Sequence, residues 1–174
     1  MTPVPAPIRL SPNAPEIPAT RDLLIRAFAY MEGRIDPPSS LGRMTEGSLR
    51  RDAEEKELWI IPGPGLPGQS ISAPLACVIL TPDQHHLYIG KLAVDETARG
   101  LGLARVLLDH AGTRARSLGL PLLRLQTRVE LTENHATFMA LGFQEVGRTA
   151  HSGYDRPTSI TYERAVNSDG PPAD

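Results

Sequence analysis

Leu87-Tyr88-Ile89-Gly90-Lys91-Leu92-Ala93-Val94 runs directly into Asp95-Glu96-Thr97-Ala98-Arg99-Gly100-Leu101-Gly102-Leu103-Ala104. The first run is β-rich and predicts a strand, and the second holds a glycine-bearing turn. An amphipathic helix follows, with Leu103, Val106, Leu107, His110 and Ala111 at i, i+3, i+4, i+7 and i+8 on one face. Gly100 and Gly102 lack a Cβ, so a ligand can approach the backbone closely there. The first N–H groups of a helix have no internal partner and carry the positive end of its dipole. Strand, glycine turn and helix start together make an anion site, most naturally for a phosphate or pyrophosphate.

The turn alone leaves the phosphate ligand open. A P-loop needs Lys and then Ser or Thr after its last glycine, and Leu103-Ala104 stand there instead. The dinucleotide fingerprint G-x-G-x-x-G matches at Gly100 and Gly102 but meets Arg105, and Leu120–Leu125 contains no acid to hold a ribose. What remains is Arg-x-x-Gly-x-Ala at Arg99, Gly102 and Ala104. This resembles the acyl-CoA pyrophosphate loop of the GNAT N-acetyltransferase superfamily. The surroundings support the resemblance. Leu92, Ala93 and Val94 lead in as strand, Arg105–Leu118 follow as helix, and Leu122–Gln126 read as a buried strand. Asn134 then opens a helix that ends in Leu141-Gly142-Phe143. The resemblance spans roughly residues 57–165 and is most specific over 87–147.

The rest of the chain fits one domain of this kind. Its 174 residues, 40% hydrophobic, suffice for one packed core. A net charge of −2 argues against a nucleic-acid-binding protein. From Lys91 to Arg128, however, seven basic residues face three acids, an excess suited to a polyphosphate; Arg114 and Arg116 read as a solvated helix face. Cys77 stands alone in an apolar run and reads as a buried structural thiol, in keeping with a reducing cytoplasm. No apolar run is long enough to span a membrane. Residues 1–18 form a proline-rich N-terminal segment, expected to be extended or mobile. Residues 19–166 form a single domain, and 167–174 a disordered tail.

Thr20 is expected to cap a helix from Arg21 to about Gly33, and Thr45–Lys56 to form a second, surface helix with a thin stripe of Met44, Leu49 and Ala53. Strands are expected at Leu58–Ile61, Ser72–Thr81, His86–Val94, Leu122–Gln126, Phe143–Thr149 and Ser159–Val166. Pro62–Gln69 is expected as loop and Pro82-Asp83-Gln84 as a hairpin turn. With a short opening strand at Ile8–Leu10, the order is that of a GNAT-type α/β (α+β) fold, a mixed sheet of six to seven strands flanked by about four helices.

The resemblance implies acetyl-CoA as co-substrate and direct attack of a primary amine on its thioester, with no metal. Leu92, Ala93 and Val94 would lie along the pantetheine: Leu92 and Val94 pairing with it, and a backbone N–H here facing the thioester oxygen. The N–H groups of Arg99, Gly100, Leu101, Gly102, Leu103 and Ala104 would hold the pyrophosphate. Asn134 matches the family's asparagine; it would touch the ligand or cap its helix, a cap Thr132 could also supply. Phe138 occupies the cofactor-side position where many relatives carry a tyrosine as general acid, so that role is vacant or relocated. Tyr154, His135 and His86 are candidate acid–base residues. Tyr154 lies in the polar segment His151–Thr158, His135 at a helix start and His86 at the head of the central strand; each also has a plain structural reading. Glu130 and Glu133 are plausible as well. His85-His86 are adjacent, expected exposed, and do not suggest a metal site. Acceptor choice would come from residues 31–45, 62–69 and 151–158, where Arg34, Asp36, Arg43 and Glu46 are available. The acceptor would be a small-molecule or peptide amine, and dimers are common among the proteins this chain resembles. A GNAT-fold acyl-CoA-binding or regulatory module with little turnover is the alternative that Phe138 keeps open.

Overall fold

The computed structural model describes residues 3–65 and 73–167. The expected tail beyond Asn167 and part of the expected loop Pro62–Gln69 lie outside them. The elements run β1 (Ile8–Leu10), α1 (Ile17–Phe28), α2 (Glu46–Glu55), β2 (Glu57–Pro62), β3 (Pro74–Pro82), β4 (Leu87–Val94), α3 (Leu103–Ser117), β5 (Leu122–Arg128), α4 (Thr132–Ala140), β6 (Gln144–Thr149) and β7 (Ser159–Ala165). The strands form one mixed sheet in the order β1-β2-β3-β4-β5-β7-β6. The β4–β5 pair is parallel and the other pairs are antiparallel.

The sheet is covered on both faces, and strand alternation sorts the core in two. Ala76, Val78, Leu80, Leu87 and Ile89 pack with Leu103, Leu107, Leu108 and Ala111 of α3. Leu58, Ile60, Cys77 and Ile79 pack instead with Leu23, Leu24, Leu49 and Ala53 of α1 and α2. Burial pushes the Cys77 thiol up to about 12, so it is an inert core group.

Helix starts follow their local chemistry. Thr45 caps α2 with a full capping box through Ser48. Thr20 does not cap α1. Proline in the first turn, with its φ already helical, starts the helix at Ile17; Thr20 lies inside and turns its hydroxyl to the Glu16 carbonyl oxygen at 2.8 Å. Neither Thr132 nor Asn134 caps α4, whose start carries no side-chain cap. Arg114 is not solvated surface: its guanidinium grips the buried Glu57 carboxylate at 2.8–3.0 Å.

One irregularity in β4 decides the site. Cys77 pairs with Ala93 but Ile79 with Gly90, so β4 carries one residue more than β3 between them. This is a β-bulge, and Lys91 takes it at φ +49, in the left-handed region. The bulge reverses the alternation. Leu87 and Ile89 face α3 before it; Leu92 and Val94 pack on that side after it, while Ala93 turns to the α1 core.

Candidate acyl-donor and acceptor site

β4 and β5 pair only at Leu87↔Leu123 and Tyr88↔Arg124. β4 nevertheless continues to Val94 and β5 to Arg128, so the two strands part and leave the β4 edge without a ladder partner beyond Tyr88. A cleft of about 360 Å³ occupies the opening, lined among others by Tyr88, Leu92, Arg128, Asn134, Phe138 and His151.

At the open end of β4 the chain makes a short turn. The Asp95 carboxylate accepts the Thr97 N–H and hydroxyl, which hold its pKa below the usual range; Arg26 adds to this. Gly100 and Gly102 then take φ +81 and +76. A Cβ at either would meet open space, so glycine serves backbone conformation there and no crowding demands it. Gly102 stands at the N-cap of α3 without a capping side chain, and the first ladder bond runs from Val106 N–H to Gly102 O. The N–H groups of Leu103, Ala104 and Arg105 therefore precede the ladder and are available to an anion.

The walls of the cleft come from distant segments. Asn134 Nδ2 donates to the Tyr30 hydroxyl at 3.1 Å, and Tyr30 lines the cleft with it. Tyr88 also faces the opening, and burial raises its phenol. His151 reaches in from the β6–β7 connection. Its backbone N–H and its Nδ1 both lie within hydrogen-bond distance of Thr158 Oγ1, which donates in turn to the Thr149 carbonyl oxygen. The two contacts with Thr158 fix the orientation of the ring, with Nδ1 turned to that hydroxyl.

The earlier acid–base candidates stand elsewhere. His86 is buried rather than exposed, at the closed end of the opening, where burial and Arg124 depress its pKa. About 20 Å of strand separates it from Leu92 at roughly 3.3 Å per residue. His135 Nε2 donates to the Arg128 carbonyl oxygen at 2.9 Å. The Tyr154 hydroxyl donates to Asp36, whose negative charge holds the phenol proton on, and Arg156 joins the same carboxylate. Glu133 is exposed and paired with Arg34 at 2.7 Å. Glu130 Oε1 accepts the Asp36 N–H. These contacts tie residues 34–37 to the β5–α4 and β6–β7 connections. The sequence marked the segment His151–Thr158 for acceptor choice and Arg128 within a basic excess, but it marked Tyr30 not at all and none of the three by its place in the cleft, which tertiary contacts decide. Among the described residues no group of three or more His, Cys, Asp and Glu could hold a metal ion, and no helix is long and apolar enough to cross a membrane.

Comparison with known proteins agrees with this geometry. No curated protein matches the chain. Solved structures similar to it include the ribosomal-protein-S18-alanine N-acetyltransferase from Escherichia coli, at 19% identity and TM-score 0.63 over 97% of this chain and 99% of that one. A GNAT family acetyltransferase from Staphylococcus aureus shares 15% identity at TM-score 0.66, covering 93% and 100%. One from Elizabethkingia anophelis, with acetyl-CoA bound, shares 17% at TM-score 0.61, covering 92% and 97%. At such identities the likeness is one of fold. The model of the Acetyltransferase (GNAT) family matches residues 23–143, most of the domain and all of the glycine turn, and the chain belongs to that family.

Proposed function

We propose that the protein transfers an acetyl group from acetyl-CoA to a primary amine by direct attack. The observation that carries this reading is the parting of β4 from β5 beside an uncapped, glycine-led start of α3. The opening accommodates pantetheine, with the backbone of Leu92 and Val94 as its hydrogen-bonding edge and an N–H of Leu92–Val94 as the oxyanion donor. The backbone N–H groups from Gly100 to Ala104 take the pyrophosphate, the Arg99 N–H being bonded to the Glu96 carbonyl oxygen, and Asn134 and Phe138 flank the thioester.

We assign proton removal to His151. Nε2 takes a proton from the incoming ammonium, and the freed amine attacks the thioester carbon. The C–N bond forms as the C–S bond breaks, and the sulfur leaves as thiolate; the nitrogen then sheds its remaining extra proton. Phe138 offers no proton to that sulfur. Tyr30, whose oxygen accepts from Asn134, keeps its own proton to give, and we assign it the acid role. A thiol of ordinary acidity leaves tolerably without help, so the acid is an aid rather than a requirement.

Calorimetric titration with acetyl-CoA, beside Gly102→Glu, tests the reading. Binding by the native protein and its loss in the folded variant are expected. Absence of binding to a well-folded native protein would overturn it. Phe138 keeps a second reading in view, an acyl-CoA-binding module with little turnover. Release of CoA thiol that depends on added amine separates the two, since the module would bind without amine-dependent release.

A further inference from the structure

The acceptor side of the cleft has an unusual charge balance. None of its lining side chains is a carboxylate, and its formally cationic side chains are Lys91 and Arg128. Lys91 is neutralised by Asp52, with Nζ 2.7 Å from the carboxylate. Arg128 is not. One of its terminal nitrogens donates to the Pro37 carbonyl oxygen at 2.6 Å, its Nε is buried without a partner, and it forms no ion pair among the described residues. The surrounding acids are engaged elsewhere: Asp36 with Tyr154 and Arg156, Glu133 with Arg34, and Glu130 Oε1 with the Asp36 N–H. The second oxygen of Glu130 is buried and unpartnered, but Glu130 does not line the cleft. A half-buried guanidinium without a counter-ion is costly until an anion joins it. Counted forward from the Tyr88↔Arg124 pair, with the residue that the bulge adds to β4 allowed for, Arg128 stands level with Ala93, across the opening from the stretch of β4 where the thioester would lie.

The neighbouring wall is apolar. Phe28, Met31 and Leu41 line the cleft; Met31 packs with Ile35 and Leu131 in a small cluster, and Phe28 and Leu41 bridge it to the core under α1 and α2. The same three side chains border a further hollow of about 510 Å³. A polyamine or another polycation would meet Arg128 with no acid to hold it. An amine that carries both an anion and an apolar group would satisfy both walls.

We infer that the acceptor is a free α-amino acid with a large apolar side chain, an inference that rests on the acetyl-transfer reading above. Its carboxylate meets the Arg128 guanidinium, its side chain lies against Phe28, Met31 and Leu41, and its amine faces the thioester and His151. The cleft also has to hold the end of the pantetheine, so a volume at the small end for a ligand site suits a compact acceptor.

The test compares L-methionine, L-methioninamide and spermidine as acceptors for the native protein and for Arg128→Gln. The free acid is expected to show a KM lower than the amide by about tenfold or more, and Arg128→Gln to erase that difference by raising the acid's KM alone. An amide as good as the acid, which would point to a peptide N-terminus, or a preference for spermidine, overturns the inference. Should no amine turn over, binding of N-acetyl-L-methionine and its amide to the CoA-saturated protein decides. Tighter binding of the acid supports the inference, and equal or absent binding overturns it. Failure of acetyl-CoA itself to bind would instead overturn the reading beneath it.

Discussion

Gly102 and His151 illustrate two kinds of functional residue. Gly102 was legible because its role is local: a turn into a helix start needs a positive φ, and glycine between a strand and an amphipathic helix announces one. Since a Cβ there meets nothing within 4 Å, Gly102→Ala isolates the backbone strain. It is expected to cost about 1 kcal/mol in urea unfolding and to weaken acetyl-CoA binding by tilting the α3 N–H groups. Unchanged affinity would show that this φ does not matter to the ligand. His151 was not legible as the residue that enters the cleft: the segment 151–158 was expected at the acceptor site with Tyr154 as its active side chain, and only the contacts with Thr158 put the imidazole there instead. His151→Gln is expected to lower kcat about 10²-fold or more while leaving acetyl-CoA affinity intact. A variant with native kcat would remove His151 from the chemistry.

The strand that decides the fold also shows what an element hides. β4 has the bounds expected of it, Leu87 to Val94, apart from the added His86, and α3, β5 and α4 fall within a few residues of expectation. The apolar periodicities of β4, α3 and β5 are local and strong; α4 buries none of its residues and was legible only through the family resemblance. The bulge went unread, although its trace is in the pattern: Leu87 and Ile89 occupy odd positions, Leu92 and Val94 even ones, and one extra residue must lie between. A regular strand would have sent Leu92 and Val94 to the wrong face of the sheet. Lys91 adopts the left-handed conformation without being glycine, so the surrounding pairing has to impose it. Lys91→Gly and Lys91→Val both lose the Asp52 ion pair, and their difference isolates the backbone. The valine variant should be the less stable by about 1–2 kcal/mol, since a β-branched residue at this φ is disfavoured. Equal unfolding midpoints would mean that the bulge relaxes or moves. Acetyl-CoA binding should survive in the glycine variant, which keeps the bulge.

At the scale of the molecule, the two cores on opposite faces of the sheet are joined to polar groups whose ionisation depends on folding. His86 and His110 have depressed pKa values, chiefly from burial, and His110 packs edge-on against Trp59 with its Nε2 buried and unpartnered. Burial also opposes ionisation of Asp52 and Glu57, but their cations outweigh it. Lys91 and Lys56 hold Asp52 below the usual carboxylate range, and Arg114, helped by the Trp59 N–H, does the same for Glu57. All four groups bind protons more tightly in the unfolded chain, so each contributes stability that grows as pH rises. For the histidines that contribution is complete above about pH 6.5 and falls as pH drops below it; for the carboxylates the fall begins near about pH 4. Unfolding midpoints in urea should therefore be highest at neutral pH, decline through the weakly acidic range and decline again in strong acid. His110→Phe, which keeps an aromatic ring against Trp59, should shrink the first decline and leave the second. A stability maximum near pH 5, or a first decline unchanged in His110→Phe, would mean that the buried imidazole is not what couples this fold to pH.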